Sequence, residues 1–152
     1  MSYEIIEDTT PARYLAVKRF SASPDQMGAR ISAAFGEVFS YLGRHRIAPL
    51  GPPVGCYEMG SGKFVVRAGS AVDVPISAEG DVEPYYLPET EVLSTVHDGP
   101  NDDLPKAYDA LEARARELGR ELDPTLMWEE YLSGPEVPAE QMRTVVHWPL
   151  RD

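Results

Sequence analysis

Two periods of apolar and polar residues run along this chain, and they divide it into strands and helices. Near the N-terminus the alternation has a period of two, which predicts a strand from Ile5 to Phe20. Proline cannot donate a ladder hydrogen bond, so we expect this strand to be interrupted near Pro11. The apolar residues then recur every three or four positions, which predicts an amphipathic helix from Ser23 to Gly43.

The ends of this first helix carry recognisable signals. Ser23 can cap its start, Pro24 suits the first helical position, and Gln26 completes a capping box. Gly43 can end the helix in the left-handed conformation. A second helical stripe predicts a helix over residues 103–119, and the intervening segments alternate as strands. Strands are therefore predicted at Val54–Met59, Lys63–Ala71, Glu91–His97, Met127–Leu132 and Met142–Trp148, with a hairpin turn at Gly60–Gly62 and a connection at Asp73–Pro84.

One unit occurs twice in this arrangement. The first helix ends in Leu42-Gly43-Arg44 before a strand around Tyr57, and the second ends in Leu118-Gly119-Arg120 before a strand around Tyr131. Repetition within one small chain predicts an α+β fold, a tandem βαββ repeat with pseudo-twofold symmetry. We expect one domain over residues 1–152, with repeats at about 3–72 and 82–151, two helices packed on an antiparallel sheet, and a ligand groove between the halves.

Composition narrows the range of partners. The net charge of −11 disfavours nucleic acid and anionic membrane surfaces, and it favours the approach of cations. Cys56 is the single cysteine, which fits a reducing cytoplasm, and no apolar run is long enough to predict a membrane span. The N-terminal residues do not resemble a signal peptide. The histidines and Cys56 show no metal-ligand spacing, so we expect neither a metal nor another cofactor.

The segment Trp128-Glu129-Glu130-Tyr131 carries the most informative chemistry. On a strand, Glu129 and Tyr131 face one side while Trp128 and Glu130 face the other. Two successive acids are both comfortable only if one faces water, so we expect the other on the covered or grooved side. In a partly dry groove Glu129 would have a raised pKa, and a ligand cation would restore its charged form. A solvated surface acid remains the alternative. Gly55 and Tyr57 occupy the matching places in the first repeat.

The other candidates each have an ordinary structural alternative. His97 could act as a general base, or it could close its strand before a turn. Tyr86 could line the groove or belong to the core. We expect His147 to alternate outward from the last strand and Cys56 to be a buried structural thiol rather than a nucleophile.

A series of short motifs in the second half resembles one known family. The motifs are Leu87-Pro88, Gly99-Pro100 before a helix, Glu129-Glu130-Tyr131-Leu132, Pro135, and a last strand that ends in Pro149-Leu150. In this order the chain resembles the GyrI-like effector-binding domain, which also occurs in multidrug-responsive regulators of the AraC and MerR types. The resemblance implies an aromatic groove in which a glutamate, here Glu129, recognises lipophilic cations.

Two functions are compatible with this resemblance. The first is a stand-alone binding protein for aromatic, lipophilic, often cationic compounds, because no segment resembles a DNA-binding helix-turn-helix. The second is a hydrolase that opens cyclopropane-containing genotoxic natural products, with Glu129 as general base and Tyr131 assisting. The third alternative is a homodimer that pairs exposed edge strands at Lys63–Ala71. The candidate ligand-binding residues are Glu129, Tyr131, Trp128, Tyr57, Tyr86 and His97.

Overall fold

The computed structural model of the protein describes residues 3–59, 63–133 and 137–151, which form eight strands and two α-helices. The predicted turn at Gly60–Gly62 and the motif residue Pro135 lie outside the described residues. The elements are β1 (Ile6–Thr10), β2 (Arg13–Ala22), α1 (Met27–Arg44), β3 (Val54–Met59), β4 (Phe64–Val72), β5 (Val82–Leu87), β6 (Thr90–Asp98), α2 (Leu104–Leu118), β7 (Leu126–Tyr131) and β8 (Arg143–Pro149).

All eight strands belong to one antiparallel sheet in the order β1-β6-β8-β7-β3-β4-β2-β5. Exchanging β2-α1-β3-β4 with β6-α2-β7-β8, and β1 with β5, leaves this order unchanged. The predicted α+β class and tandem βαββ repeat are therefore confirmed, and the pseudo-twofold axis passes between the central strands β3 and β7.

The sheet curls strongly, because short links join strands that are far apart in its order. Residues 11–12 alone connect β1 to β2, although five other strands separate them in the sheet. In a flat sheet that separation would be about 29 Å, whereas the link spans about 11 Å at most. The sheet therefore curls until its two ends approach each other. β1 pairs with β6 and β2 pairs with β5, so the segment β1–β2 runs antiparallel beside the segment β5–β6. The predicted interruption at Pro11 lies at the junction between β1 and β2.

Both faces of the curled sheet are buried, and the two faces are covered differently. On one face α1 packs over β2 and β4, and α2 packs over β6 and β8. Neither α1 nor α2 packs on the opposite face, which buries its own apolar side chains against one another inside the curl. The buried residues of this helix-free face are Leu15, Val17, Val54, Cys56, Leu87, Val92 and Trp128.

The helix ends differ from their sequence signals. A 3₁₀ turn at Pro24–Gln26 precedes α1, and the Ser23 hydroxyl donates to the Asp25 carboxylate instead of capping a backbone N–H. The predicted capping box is therefore absent. The prediction for Gly43 is also wrong, because α1 continues through Arg44 and the left-handed residue that follows is Arg46, with φ of 56°. Its repeat partner Gly119 does end α2 in the left-handed conformation, with φ of 67°.

Two strand predictions need correction. The predicted connection at Asp73–Pro84 contains the start of β5, which pairs with β2. Lys63–Ala71 is not an exposed edge, because β4 is bonded on one side to β3 and on the other to β2. The ends of the strand order are β1 and β5, so the proposed route to a homodimer through β4 has no free backbone groups to use. Neither α1 nor α2 has the length and apolarity that crossing a bilayer requires.

Candidate functional site

A cavity of about 620 Å³ lies on the helix-covered face of the sheet, where the N-terminal parts of α1 and α2 come together over β3 and β7. Both repeats contribute to its wall, as expected for a groove on the pseudo-twofold axis. The lining is mostly apolar or aromatic: Pro24, Met27, Gly28, Ile31, Tyr57, Met59, Phe64, Leu104, Pro105, Tyr108, Met127, Tyr131 and Trp148, with Asn101, Asp102, Asp109 and Glu129 as its amide and carboxylate groups.

Glu129 lies at the centre of this site, directly opposite Gly55 in the ladder between β3 and β7. The repeat makes these two residues equivalent, so the pair lies on the axis itself. A Cβ at residue 55 would approach the hydroxyls of Tyr57 and Tyr131 to 3.0 and 3.1 Å and Ile31 Cδ1 to 3.2 Å. Glycine at this position therefore leaves the space that the polar groups around Glu129 occupy.

Three phenols connect to the carboxylate of Glu129. Tyr108, from α2, donates to Oε2, and Tyr131 donates to Oε1 at 2.8 Å. The hydroxyls of Tyr57 and Tyr131 are also hydrogen-bonded to each other. Since a phenol has one proton and Tyr131 gives its own to Glu129, Tyr57 must be the donor in that pair. Both carboxylate oxygens thus accept hydrogen bonds, the arrangement that suits the ionised form.

The electrostatics of the site leave this carboxylate without a full counter-charge. Burial raises the pKa of Glu129, and the hydrogen bonds from Tyr108 and Tyr131 lower it in part, as does the more distant His97. Burial and the nearby carboxylate also raise the pKa of the three tyrosines, so they remain neutral donors. Among the described residues, no Lys, Arg or His forms an ion pair with Glu129, which is only 7% exposed.

The structure brings three of the six candidate residues together at this cavity: Glu129, Tyr131 and Tyr57. Tyr108 also contributes to this cavity, although it was not among the candidates, and it belongs to the apolar stripe of the helix predicted over residues 103–119. The phenol of Tyr108 among the aliphatic residues of that stripe is the feature of the sequence that could have identified it. A neutral donor at a buried helix position requires an acceptor.

The other three candidates lie elsewhere. Trp128 is fully buried on the helix-free face, because alternate residues of β7 point to opposite sides of the sheet. Tyr86 is on the helix-covered face but at the outer strand β5, where it is 55% exposed and packs against Tyr14. His97 lines a neighbouring cavity and is hydrogen-bonded to the Tyr3 hydroxyl and to the carbonyl oxygen of Pro100. None of these three side chains lines the cavity that holds Glu129.

The prediction that one of the two successive acids, Glu129 and Glu130, faces water also needs correction. Glu130 points to the helix-free face, but the curl of the sheet half-buries it there, and it pairs with His147 at 2.6 Å. His147, predicted to point outward, is only 7% exposed. A flat sheet would have left both side chains in solvent.

Comparisons with known proteins agree with this architecture. A family model described as the GyrI-like small molecule binding domain matches residues 1–151. The crystal structure of the EcmrR C-terminal domain has 18% identity and a TM-score of 0.84, covering 100% of this chain and 99% of that one. A search of curated protein sequences gave no significant match.

Two further solved structures share the fold at low identity. SAV2435 bound to tetraphenylphosphonium has 12% identity and a TM-score of 0.66, covering 99% of this chain and 94% of that one. A structure described as a hydrolase from Listeria innocua has 13% identity and a TM-score of 0.72, covering 97% and 92%. At these identities the likeness establishes the fold alone.

Proposed function

Because this chain belongs to the GyrI-like small molecule binding domains, we propose that its cavity binds aromatic, lipophilic cations and that Glu129 supplies the counter-charge. The observation that carries the proposal is a carboxylate buried at the centre of an apolar cavity, contacted by neutral phenols and by no ion-pair partner in the described chain. The solved structure of a similarly folded protein, SAV2435, is bound to tetraphenylphosphonium, which is a cation of this class.

A cation gains from this site in two ways. It supplies the charge that a desolvated carboxylate lacks, and so it stabilises the ionised form of Glu129. The rings of Tyr57, Tyr108 and Tyr131 add cation–π attraction of roughly 0.5–2 kcal/mol each, depending on how far the ligand is desolvated. Because stacking and dispersion demand little directional match, the cavity accepts varied shapes of aromatic cation.

The ligand we favour is weakly hydrated and carries a delocalised or shielded charge. Both oxygens of Glu129 already accept phenol hydrogen bonds, so a primary ammonium would lose its hydration shell and find few free acceptors inside. A phosphonium or quaternary ammonium has no N–H to satisfy. The net charge of −11 raises the local concentration of either kind of cation at the cavity mouth.

We assign this activity to the cytoplasm. Cys56 is a free, fully buried thiol, and burial raises its pKa to about 12, so it is protected and unreactive rather than part of a disulfide framework. It lies on the helix-free face and takes no part in the cavity.

The experiment compares the wild-type protein with Glu129→Gln, using fluorescence anisotropy of a cationic dye displaced by tetraphenylphosphonium or by neutral triphenylphosphine oxide. We expect the substitution to weaken tetraphenylphosphonium binding by at least about tenfold, or 1.4 kcal/mol, and to change the neutral compound by less than about threefold. Equal losses for both ligands would contradict the charge role. Glu112→Gln, an exposed position on the same helix as Tyr108, controls for the change in net charge.

A hydrolase is the second candidate, and the fold shared with a hydrolase from Listeria innocua is what favours it. Here Glu129 would act as general base on water, with the Tyr131 hydroxyl assisting at the leaving fragment. The same two proteins test this reading in an incubation with a cyclopropane-bearing alkylator, followed by mass spectrometry. Hydrolysis predicts water addition that is about 10²–10⁴-fold slower in Glu129→Gln. Binding without water addition would leave the binding function alone standing.

A further inference from the structure

A second polar constellation lies on the opposite, helix-free face of the sheet. The Ser94 hydroxyl and His147 Nδ1 are 2.7 Å apart, and His147 Nε2 is 2.6 Å from Glu130 Oε1. The tautomer with its proton on Nε2 satisfies both bonds: Nε2–H donates to Glu130, and Nδ1 accepts from Ser94. A hydroxyl bonded to an imidazole that a carboxylate orients is the arrangement of an activated nucleophile.

Register holds this constellation across three adjacent strands. Ser94 in β6 is directly opposite His147 in β8, and β7 pairs with the other side of β8. The His147 ring also stacks on Trp128, with centroids 5.4 Å apart and planes inclined by 27°. The geometry therefore rests on rigid strands and an aromatic floor rather than on loops.

The depth of the constellation gives it limited access to solvent. Below it, Val92 and Trp128 are fully buried, whereas Val96, two residues beyond Ser94 on the same face, is 41% exposed. Ser94 and His147 are each 7% exposed. The hydroxyl thus lies one layer beneath the more exposed Val96, and this depth limits access to compact molecules.

The first repeat carries no polar side chains at the equivalent positions. Following the ladders outward from the Gly55–Glu129 pair, Gly69 takes the place of His147 and Val17 takes that of Ser94. Cys56 likewise matches Glu130. All three first-repeat positions are buried and apolar. Burying polar side chains stabilises a protein no more than burying well-packed apolar side chains does. The polar set in the second repeat therefore calls for a functional reason.

The helix-free face also holds a buried hydrogen-bond donor without an acceptor among the described residues. Trp128 Nε1 is buried and has no hydrogen-bond partner among the described residues. Buried indole N–H groups ordinarily find an acceptor. Trp128 Nε1 is therefore a further polar group on the helix-free face that the described residues leave without an acceptor.

We propose that Ser94, His147 and Glu130 form a nucleophilic site that is acylated by small aryl esters of short carboxylic acids. The small exposed fractions of Ser94 and His147 favour a short acyl group, and the aryl group would rest on exposed apolar residues such as Val96. This site lies on the other face of the sheet from the Glu129 cavity, so it stands independently of the function proposed above.

The reaction balances with water as the only co-reactant. Ser94 Oγ bonds to the ester carbonyl carbon while its proton moves to His147 Nδ1, and the carbon–oxygen bond to the aryl group breaks. The departing aryloxide takes that proton. Water then attacks the acyl-serine by the same route, which releases the carboxylic acid and restores Ser94. Glu130 is a positioning residue, which holds the His147 proton on Nε2 throughout.

The test is incubation of the full chain with 4-nitrophenyl acetate, with nitrophenolate release followed by absorbance and the adduct located by peptide mass spectrometry. We expect one acetyl group on Ser94 and slower nitrophenolate release from Ser94→Val than from wild type. Acylation should be at least about 10²-fold slower in His147→Gln. Ser94→Val copies the first repeat, and thermal unfolding checks that both variants fold. Ser70→Ala removes another buried strand serine, whose hydroxyl donates to the backbone carbonyl of Ala71, and should react like wild type.

Three results would each overturn the proposal: a wild-type protein with neither an adduct nor nitrophenolate release above that of Ser94→Val, an adduct on another residue alone, or equal acylation of folded His147→Gln. If Ser94→Val does not fold, His147→Gln retains the serine and decides the question. Tetraphenylphosphonium binding measured on the same preparations reports separately on the Glu129 cavity.

Discussion

At the scale of single residues, opposing influences act on the carboxyl group of Glu129. Burial raises its pKa, while hydrogen bonds from Tyr108 and Tyr131 lower it only in part. The alternation of β7 was enough to predict that Glu129 and Tyr131 share a face. The alternation could not predict the contact of Tyr108 with Glu129. Packing between distant segments decides which turn of a helix lies over a given strand residue. The alternation also could not exclude Trp128, whose large ring would suit a binding cavity but belongs to the other face.

The raised pKa of Glu129 predicts how stability depends on pH. The native state holds this proton more tightly than the unfolded chain does, so the contribution of Glu129 to stability falls as pH rises above about 4.5, the ordinary glutamate value, until the native group has ionised. Each tenfold tightening of native proton binding corresponds to about 1.4 kcal/mol. Glutamine at position 129 lacks this contribution.

The measurement is urea unfolding of wild type and Glu129→Gln at a series of pH values, which cancels the titration of other groups. We expect the difference in unfolding free energy to move in favour of the glutamine variant as pH increases through this window. A constant difference, or one that moves toward the wild type, would show that the native pKa is not raised.

At the scale of elements, duplication makes equivalent positions comparable within one molecule. The motif Leu-Gly-Arg ends both helices in the sequence, yet Gly43 lies inside α1 while Gly119 adopts the left-handed conformation after α2. Sequence correctly located both helices through their apolar stripes. It could not tell the two glycines apart, because the last turn of α1 is set by the different chain path that follows it.

We expect substitution by alanine to change stability in opposite directions at Gly43 and Gly119. Gly119→Ala places a Cβ at a φ of 67° and should destabilise the protein by about 1 kcal/mol. Gly43→Ala lies in helical backbone with no atom within 4 Å of the new Cβ, and it should stabilise by about 0.5 kcal/mol. Equilibrium denaturation of the two variants side by side measures both. Changes of the same sign would contradict the assignment of the two helix ends.

At the scale of the whole molecule, the curl of the sheet is what the sequence did not disclose. Strand periods, turn residues and the repeat were sufficient for the fold class and the order of the main elements. The alternating strand pattern does not distinguish a flat sheet with one wet face from a curled one that buries both. For that reason Glu130 and His147 were expected in solvent and are instead largely enclosed.

The pairing of Gly55 with Glu129 on the axis bears on the ancestry of the molecule. Two separate, identical βαββ subunits would have to place the same residue on both sides of that contact. Two glycines would leave the hollow uncharged, and two glutamates would set like charges against each other without water. A homodimer of identical halves therefore cannot place a single negative group at the symmetry element, whereas a chain whose joined halves have diverged can.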